Sequence, residues 1–381
     1  MKGVIIDRSI YCDYRFKYEE KHDKSGVGMS EVREDKHYVH MIGGDGPNSY
    51  ARNSAYQKEL LVSANDLLQQ LIPKHLDTDS TVDTFRIADL GCSVGGNAFF
   101  AVENMIGAVE RRYKSDGRHV PEFHVFFNDL IGNDFNTLFK QLPVARSYFA
   151  AAAPGSFHGR LFPRESIHLA HCSTALHWLS RSPERSNKGR IHYAGAGKEV
   201  REAYAAQYKR DMDCFLHARG EELVAGGLMV LILMGYRDGY VLGSDSSIGE
   251  SFDILGSCLY DMANMGKIGE EEVDYFNLPF YYPCGAEVEA VIEANGLFSV
   301  ERVTEMGAPM KGEADPATLV GHMRAVIGVL VEERFGSGVV EELFQLHLNK
   351  TIERAREKPF IYQSCHREII HIVLLKRNNP S

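Results

Sequence analysis

The sequence lacks several features that identify secreted, membrane and nucleic-acid-binding proteins. Its seven cysteines never occur as CxxC, which argues against a disulfide framework and a structural zinc site. The longest apolar run, "LMVLILMG" at 228–235, is too short to cross a bilayer, and the N-terminus lacks the apolar core of a signal peptide. A net charge of −10 argues against a surface that tracks phosphates. We therefore expect a cytoplasmic protein that binds small molecules, with neither a membrane nor a nucleic acid as partner.

The composition is that of an ordinary globular chain. Its 381 residues are 44% hydrophobic, enough for a sizeable core. Residues 1–39 are polar and without a sustained period, so we expect a flexible extension. Over residues 40–236, short apolar runs alternate with amphipathic helical patterns, which predicts a doubly wound α/β core with a mainly parallel sheet. Residues 237–360 are predicted to form a mainly helical cap, and residues 361–381 a C-terminal strand that completes the core sheet.

The stretch "FRIADLGCSVGGNAFF" at 85–100 predicts a buried strand, a glycine-rich turn and the start of a helix. Its glycines follow a GxxxGG spacing, not the GxGxxG that lets a backbone approach a pyrophosphate. Two neighbouring predicted strands each end in an acid: Asp89 lies just before the turn, and Asp129 lies at the end of the second strand. The Asp129 carboxylate is placed to bind the two hydroxyls of a ribose. The pattern favours a nucleoside with an amino-acid tail, S-adenosylmethionine. A nucleotide-dependent oxidoreductase and a purely structural turn are the alternatives.

Six motifs occur in a fixed order along the chain. They are "MIGGDGPNSYARNSAYQ" (41–57), "IADLGCSVGGNAF" (87–99), "FFNDLIGNDFNTLF" (126–139), "PGSFHGRLFP" (154–163), "STALHWLS" (173–180) and "DYFNLP" (274–279). From about residue 40 to the C-terminus the sequence resembles the plant SABATH methyltransferases, which transfer a methyl group from S-adenosylmethionine to a carboxylate or to a ring nitrogen of a xanthine. The resemblance implies a Rossmann-like class I methyltransferase core with a helical cap, usually as a homodimer.

The resemblance also implies the members of the donor pocket. They are Tyr50, Ser54, Gln57, Asp89, Cys92, Asn97, Asp129, Leu130, Ser156 and Phe157. Asp129 would bind the ribose hydroxyls and Ser156 the adenine edge, while Leu130 and Phe157 would enclose the base. Ser54, Asp89 and Asn97 would bind the methionine end. Ser54 and Asn97 are equally suited to beginning helices, and Phe157 to the core.

The acceptor site implied by the resemblance comprises Tyr50, Gln57, Thr174, His177, Trp178 and Phe252. A carboxylic acid is ionised at neutral pH, so its methylation needs alignment in a dry pocket and no general base. The Gln57 amide and the Trp178 indole N–H would hold the carboxylate as the catalytic residues. Trp178 is the single tryptophan, and packing is the alternative role for such a residue. If the acceptor were an N–H group, His177 could take its proton.

Two stretches of the sequence contain residue types that can bind Mg²⁺ or Zn²⁺. Several SABATH members carry Mg²⁺, and the matching positions here are Asn187, Asp274, the carbonyl of Phe276, and Asn277. Oxygen ligands suit that ion, although "DYFNLP" also suits an ordinary loop. The stretch "HLAHCSTALHW" at 168–178 fits no standard zinc spacing.

Departures from the family pattern bear on the substrate. Thr174 stands where many members have tyrosine, which predicts a wider pocket, and Ile42 stands where some have lysine, so that a cationic contact is absent. The segments "PEFHVFFND", "HCSTALHWLS" and "NKGRIHY" are most similar to the loganic acid branch. We expect methylation of a small iridoid, terpenoid or benzenoid plant acid. N-methylation of a xanthine-like heterocycle is the alternative reaction, and a non-catalytic protein that senses the donor is the alternative class.

Overall fold

The structure, a computed structural model, describes residues 40–78, 82–240, 247–307, 312–358, 361–362 and 368–379. The predicted extension at residues 1–39 lies outside the described residues. The helices are α1 (Ala55–His75), α2 (Gly96–Ser115), α3 (Phe135–Lys140), α4 (Lys198–Glu222), α5 (Ser247–Asn264), α6 (Glu270–Asp274), α7 (Gly285–Asn295), α8 (Pro316–Phe335) and α9 (Ser337–Glu357). The strands are β1 (Thr84–Leu90), β2 (Glu122–Asp129), β3 (Tyr148–Pro154), β4 (Ile167–Ser173), β5 (Leu223–Tyr236), β6 (Phe298–Gly307), β7 (Gly312–Glu313), β8 (Ile361–Tyr362) and β9 (Glu368–Arg377).

A seven-stranded sheet in the order β3-β2-β1-β4-β5-β9-β6 organises the molecule, and the short strands β7 and β8 pair separately. The strands β1 to β5 run parallel, and β9 runs antiparallel between β5 and β6. This arrangement confirms the predicted α/β class. From β1 the chain builds β2 and β3 on one side, then returns to β4 and β5 on the other. The order therefore reverses between β1 and β4, where α/β sheets form their ligand crevice.

The sheet buries both of its faces, as a parallel sheet must. Side chains of β1 alternate between two cores, with Ile87 in the one that contains α1 and α2, and Leu90 in the one that contains α4. The second core continues through buried side chains of α5, α8 and α9, so the cap and the sheet share it. No helix among the described residues is long and apolar enough to cross a membrane.

Two strands of the sheet were not predicted from the sequence. β3 contains four consecutive alanines at 150–153, a residue type with weak strand preference. β6 lies within residues 237–360, the segment predicted to be mainly helical, yet it pairs with β9 in the core sheet. Both are edge strands, and an edge strand needs few apolar side chains because its outer side is solvated.

Helix α8 lies beside the loop that precedes α1. The Ile42 N–H donates to the carbonyl of Ala325 on α8 at 3.0 Å. A Cβ on Gly328 would lie 2.8 Å from Cδ1 of Ile42, so this glycine permits the close approach. A cap helix is thereby held against the first of the six motifs, on the side where α1 begins.

Candidate functional site

The glycine-rich turn after β1 requires its glycine at position 91. Gly91 has φ +78°, and a Cβ there would lie 2.5 Å from the Cβ of Ala175. The backbone N–H groups of Gly91 and Cys92 both donate to the Asn128 carbonyl at 2.9 Å. The turn is therefore fixed to the end of β2 and packed so closely against the segment after β4 that only a glycine fits at position 91.

Asp129, at the end of β2, is held by two backbone donors. Ser93 N–H donates to Oδ2 at 2.7 Å, and Leu130 N–H donates to Oδ1 at 2.8 Å. Burial raises the pKa of this carboxyl to about 6, although both N–H groups oppose that shift. Each carboxylate oxygen keeps further lone-pair capacity, so Asp129 is oriented to accept two more hydrogen bonds.

Asp89, the other strand-end acid, is buried beside a histidine. Its Oδ1 lies 2.6 Å from Nδ1 of His171, the residue paired with it in register on β4. The pair spans the point between β1 and β4 where the strand order reverses. His171 was considered in the sequence only within a possible zinc cluster, and the structure instead gives it the position of an orienting partner for Asp89.

The start of α1 and the start of α2 are joined through two predicted donor-site residues. Ser54 precedes α1 but its hydroxyl makes no capping hydrogen bond. Asn97 in the first turn of α2 instead donates from Nδ2 to the Ser54 hydroxyl and carbonyl, both at 3.1 Å. Capping thus does not explain the Ser54 side chain, which is buried next to the turn.

The loop after β3 is anchored by a buried ion pair that sequence reasoning missed. Arg219 donates to the carbonyls of Phe157 and Gly159 at 2.8 Å and to Glu222 at 2.7 Å. Glu222 in turn accepts from the backbone of residues 161 and 162. The Phe157 ring is thereby held near Gly91, 3.5 Å from the position that a Cβ on Gly91 would take. In the same loop the Ser156 hydroxyl accepts from the His158 N–H at 3.3 Å. No motif in the sequence marked Arg219 or Glu222.

The predicted acceptor residue Gln57 contacts a histidine from the cap. Gln57, on α1, is 8% exposed, and its Nε2 lies 3.4 Å from Nε2 of His322 on α8. Its Oε1 is buried without a hydrogen-bond partner among the described residues. His322 Nδ1 lies 2.7 Å from the Asn53 carbonyl. His322 belongs to no motif, and only the packing of α8 on the first motif brings it here.

His177 and Trp178 follow β4 and lie in an aromatic cluster. His177 stacks on Tyr282 with ring centroids 5.4 Å apart, and Trp178 packs edge-on against Phe280 at 4.3 Å. Phe252 also stacks on Phe280, with ring centroids 5.6 Å apart, and is itself buried. Phe280 therefore contacts both predicted acceptor residues, Trp178 and Phe252. The sequence did not single out Phe280 or Tyr282.

The histidines of this region are neutral and weakly basic. Burial, with a smaller effect of His322, lowers the pKa of His177 to about 3. Burial also lowers the pKa of His322. With so low a pKa, the His177 imidazole is poorly suited to removing a proton near pH 7. The site can align and hydrogen-bond an acceptor, and it suits one that is already ionised.

The remaining predicted residues surround the turn. Burial, then the charge of Asp129, raises the pKa of Tyr50, so its hydroxyl stays protonated. Burial raises the pKa of Cys92 so that its thiol stays protonated. Thr174 has φ 49°, an uncommon conformation for a β-branched residue, and its N–H donates to the Ile232 carbonyl at 2.8 Å. Leu130 is half-buried beyond β2.

The chain matches the family described as SAM dependent carboxyl methyltransferase over residues 36–378. It belongs to this family of carboxyl methyltransferases. The loganic acid O-methyltransferase of Catharanthus roseus is 44% identical over 321 residues, 81% of this chain and 86% of that protein. The farnesoic acid carboxyl-O-methyltransferase of Arabidopsis thaliana is 40% identical over 353 residues, which are 89% of this chain and 98% of that protein. A solved loganic acid methyltransferase with SAH has a TM-score of 0.84 at 41% identity, covering 89% of this chain and 99% of that one.

This methyltransferase therefore uses S-adenosylmethionine as its methyl donor. The residues around the turn fit that group, because Asp129 presents an oriented carboxylate with spare acceptor capacity for the ribose hydroxyls. The prediction of an enzyme that transfers a methyl group to a carboxyl group is confirmed by family membership. An oxidoreductase is not supported.

The four positions matched to Mg²⁺ ligands do come together, and we call them the amide cluster: Asn187, Asp274, Phe276 and Asn277. Asn187 Nδ2 donates to Oδ1 of Asn277 at 3.2 Å, and the Asn187 N–H donates to the Asp274 carbonyl at 2.8 Å. Oδ1 of Asp274 accepts from the Tyr260 hydroxyl at 2.6 Å. One oxygen of the only carboxylate in the amide cluster, and the side-chain oxygen of Asn277, thus already accept hydrogen bonds from protein donors. The donor set fits Mg²⁺ poorly, and we derive no step through a cation.

Proposed function

We propose that this methyltransferase converts a small plant carboxylic acid of the iridoid, terpenoid or benzenoid classes into its methyl ester. The observation that carries the proposal is a site with hydrogen-bond donors, in which His177, the residue next to Trp178, is too weak a base to deprotonate an acceptor. Gln57 and Trp178 offer N–H groups, while both nearby histidines have lowered pKa values. A carboxylate needs no deprotonation, whereas an N–H acceptor would need a base.

The reaction follows from this arrangement. S-adenosylmethionine supplies a methyl group on a positively charged sulfur. One carboxylate oxygen forms a bond to the methyl carbon as the carbon–sulfur bond breaks, and the leaving thioether keeps the electron pair, so no proton moves. Gln57 and Trp178 would hold the carboxylate in line, and the aromatic rings beside Trp178 would exclude water.

For the donor, we assign Asp129 to the ribose hydroxyls, and Ser156, Leu130 and Phe157 to adenine. Ser54, Asp89 and Asn97 would hold the methionine end, with Tyr50 and Cys92 beside the sulfonium and the turn. The hydrogen bonds from Asn97 to Ser54 and between Asp89 and His171 support this assignment, because they orient these side chains before the donor arrives. Tyr50, Thr174 and His177 would line the acceptor.

The acceptor class is tested by a methyl-transfer assay on loganic, farnesoic and salicylic acids, with xanthine as the nitrogen acceptor. We expect a methyl ester from at least one acid, identified by mass spectrometry, and no product from xanthine. Methylation of xanthine with none of the acids turned over would contradict the proposal. Tight binding of a nicotinamide dinucleotide without binding of S-adenosylhomocysteine (SAH), measured by calorimetry, would contradict the whole assignment.

We further propose a homodimer, which the family resemblance supports, and a cytosolic location, which the scattered cysteines support. Light scattering coupled to size-exclusion chromatography tests the homodimer, and the mass of a single chain would contradict it. Imaging of a fluorescent fusion in plant cells tests the cytosolic location.

A further inference from the structure

His322 has one well-defined tautomer. Its Nδ1 lies 2.7 Å from the carbonyl oxygen of Asn53, and a carbonyl only accepts, so Nδ1 carries a hydrogen. Asn53 is itself fixed, because its Nδ2 donates to the carbonyls of Pro47 and Ser49 at 2.8 Å. Since burial keeps the ring neutral, Nε2 has a lone pair and can only accept.

That lone pair faces the side-chain amide of Gln57. The amide nitrogen lies 3.4 Å from Nε2 of His322. The contact is long for a hydrogen bond, but it favours one of the two orientations of the amide. The nitrogen end of the amide is attracted by the lone pair, and the oxygen end would be repelled. Oε1 has no partner among the described residues, so no other contact given by the structure selects the orientation of this amide.

We propose that His322 is a positioning residue for the methyl acceptor, which turns the Gln57 amide so that its second N–H remains available to the acceptor carboxylate. The inference rests on the proposed role of Gln57. With the amide reversed, its oxygen would meet the carboxylate oxygens and repel them. An amide held with its donors outward favours acceptors that accept hydrogen bonds, such as carboxylates, over N–H groups. His322 thereby contributes to specificity without touching the reacting atoms.

A double-mutant cycle tests whether His322 acts through Gln57. The probe is whichever of loganic, farnesoic and salicylic acids the wild type methylates fastest, and its dissociation constant in the SAH complex is read from the fluorescence of Trp178. We expect His322→Leu to raise this constant about tenfold, the loss of roughly one hydrogen bond. In a Gln57→Leu background, His322→Leu should add less than about twofold, because the shared interaction is already lost.

Three comparisons separate positioning from a structural role. His322→Gln, whose side-chain oxygen can accept from Gln57, should restore acid affinity to within about threefold of wild type. SAH affinity should stay within about twofold in every His322 variant. The matched control is His347→Leu, which removes another buried, neutral histidine from the cap and should leave acid affinity unchanged. Additive effects in the cycle, or an equal loss of SAH affinity, would overturn the inference.

A second measurement needs no turnover. Nitrogen-15 NMR of histidine-labelled protein distinguishes the two neutral tautomers, and the His322 signals are assigned by their loss in His322→Gln. We expect a neutral ring with the hydrogen on Nδ1. A hydrogen on Nε2, or a charged ring at pH 7, would overturn the inference even if no acid in the panel were methylated. Failure of the panel with the expected tautomer would instead count against the acceptor class.

Discussion

Donor binding should depend on pH through Asp129. Burial raises the pKa of this carboxyl to about 6, above its ordinary value, so it is ionised at pH 7 and largely protonated at pH 5. A protonated carboxyl is a poorer acceptor for the ribose hydroxyls, whereas the charges on the amino-acid end of SAH do not change over this range. The ionised fraction falls about tenfold between pH 7 and pH 5, so the dissociation constant of SAH should rise about tenfold.

Asp129→Asn supplies the decisive comparison. The variant loses charge-assisted hydrogen bonds to the hydroxyls, and its amide nitrogen opposes one of the two backbone N–H groups now donating to Asp129. A loss of about 3 kcal/mol corresponds to roughly 100-fold weaker SAH binding at pH 7. Between pH 5 and 7 its affinity should be constant. Calorimetry measures the SAH affinity at pH 7 and its change between pH 5 and 7. The control is Asp116→Asn, which removes a carboxylate beside Thr78 and Arg112 and should bind SAH like the wild type.

Two results would refute this reasoning. Wild-type affinity that is equal at pH 5 and pH 7 would show that the Asp129 carboxylate is not required in its charged form. A pH dependence that survives in Asp129→Asn would assign the titration to a group other than Asp129.

Four further outcomes are expected. Trp178→Phe should lower kcat/KM for the acid at least tenfold, with SAH affinity unchanged, because only an N–H donor is removed; equal kinetics would contradict the carboxylate contact. Gly91→Ala should lower the free energy of unfolding by more than ~1 kcal/mol in denaturant titrations, since its φ is positive and its Cβ would meet Ala175, whereas Gly96→Ala, with open space, should be neutral or stabilising. Arg219→Met should cost about 3–5 kcal/mol because it leaves a buried carboxylate unpaired, against less than ~1 kcal/mol for the exposed Lys198→Met; similar values would contradict the role of burial. Dialysis against a chelator should leave the unfolding temperature unchanged, and a fall would show that the amide cluster binds a cation.

The sequence predicted the part of the fold whose side chains are buried on both faces. The strands β1, β2, β4 and β5 each carry several buried apolar residues within a short segment, and each lies in the interior of the sheet. The edge strands β3 and β6 escaped prediction for the opposite reason, since solvation of one side dilutes the apolar pattern. The predicted donor residues also came from local patterns, because each belongs to one of the short motifs, and their roles stay predictions.

Contacts between distant segments could not be predicted in this way. Arg219 supports the loop of Phe157 from 62 residues away, and His322 meets Gln57 across 265 residues. Phe280, which no motif marked, packs against both Trp178 and Phe252, although 102 residues separate Trp178 from Phe280 in the chain. No local pattern records such pairings, because they depend on how the cap packs against the sheet.

The sequence by itself determined the class of fold, the methyl donor and the family, because these depend on spacing along short segments: a strand, a glycine turn and an acid at the next strand end. Only the tertiary structure decided how the residues of the predicted acceptor site are oriented. The protonation and tautomer of His322, the direction of the Gln57 amide and the low basicity of His177 all follow from burial and from neighbours far away in the chain. Burial and hydrogen bonding set these properties, and both exist only once the cap has closed over the sheet.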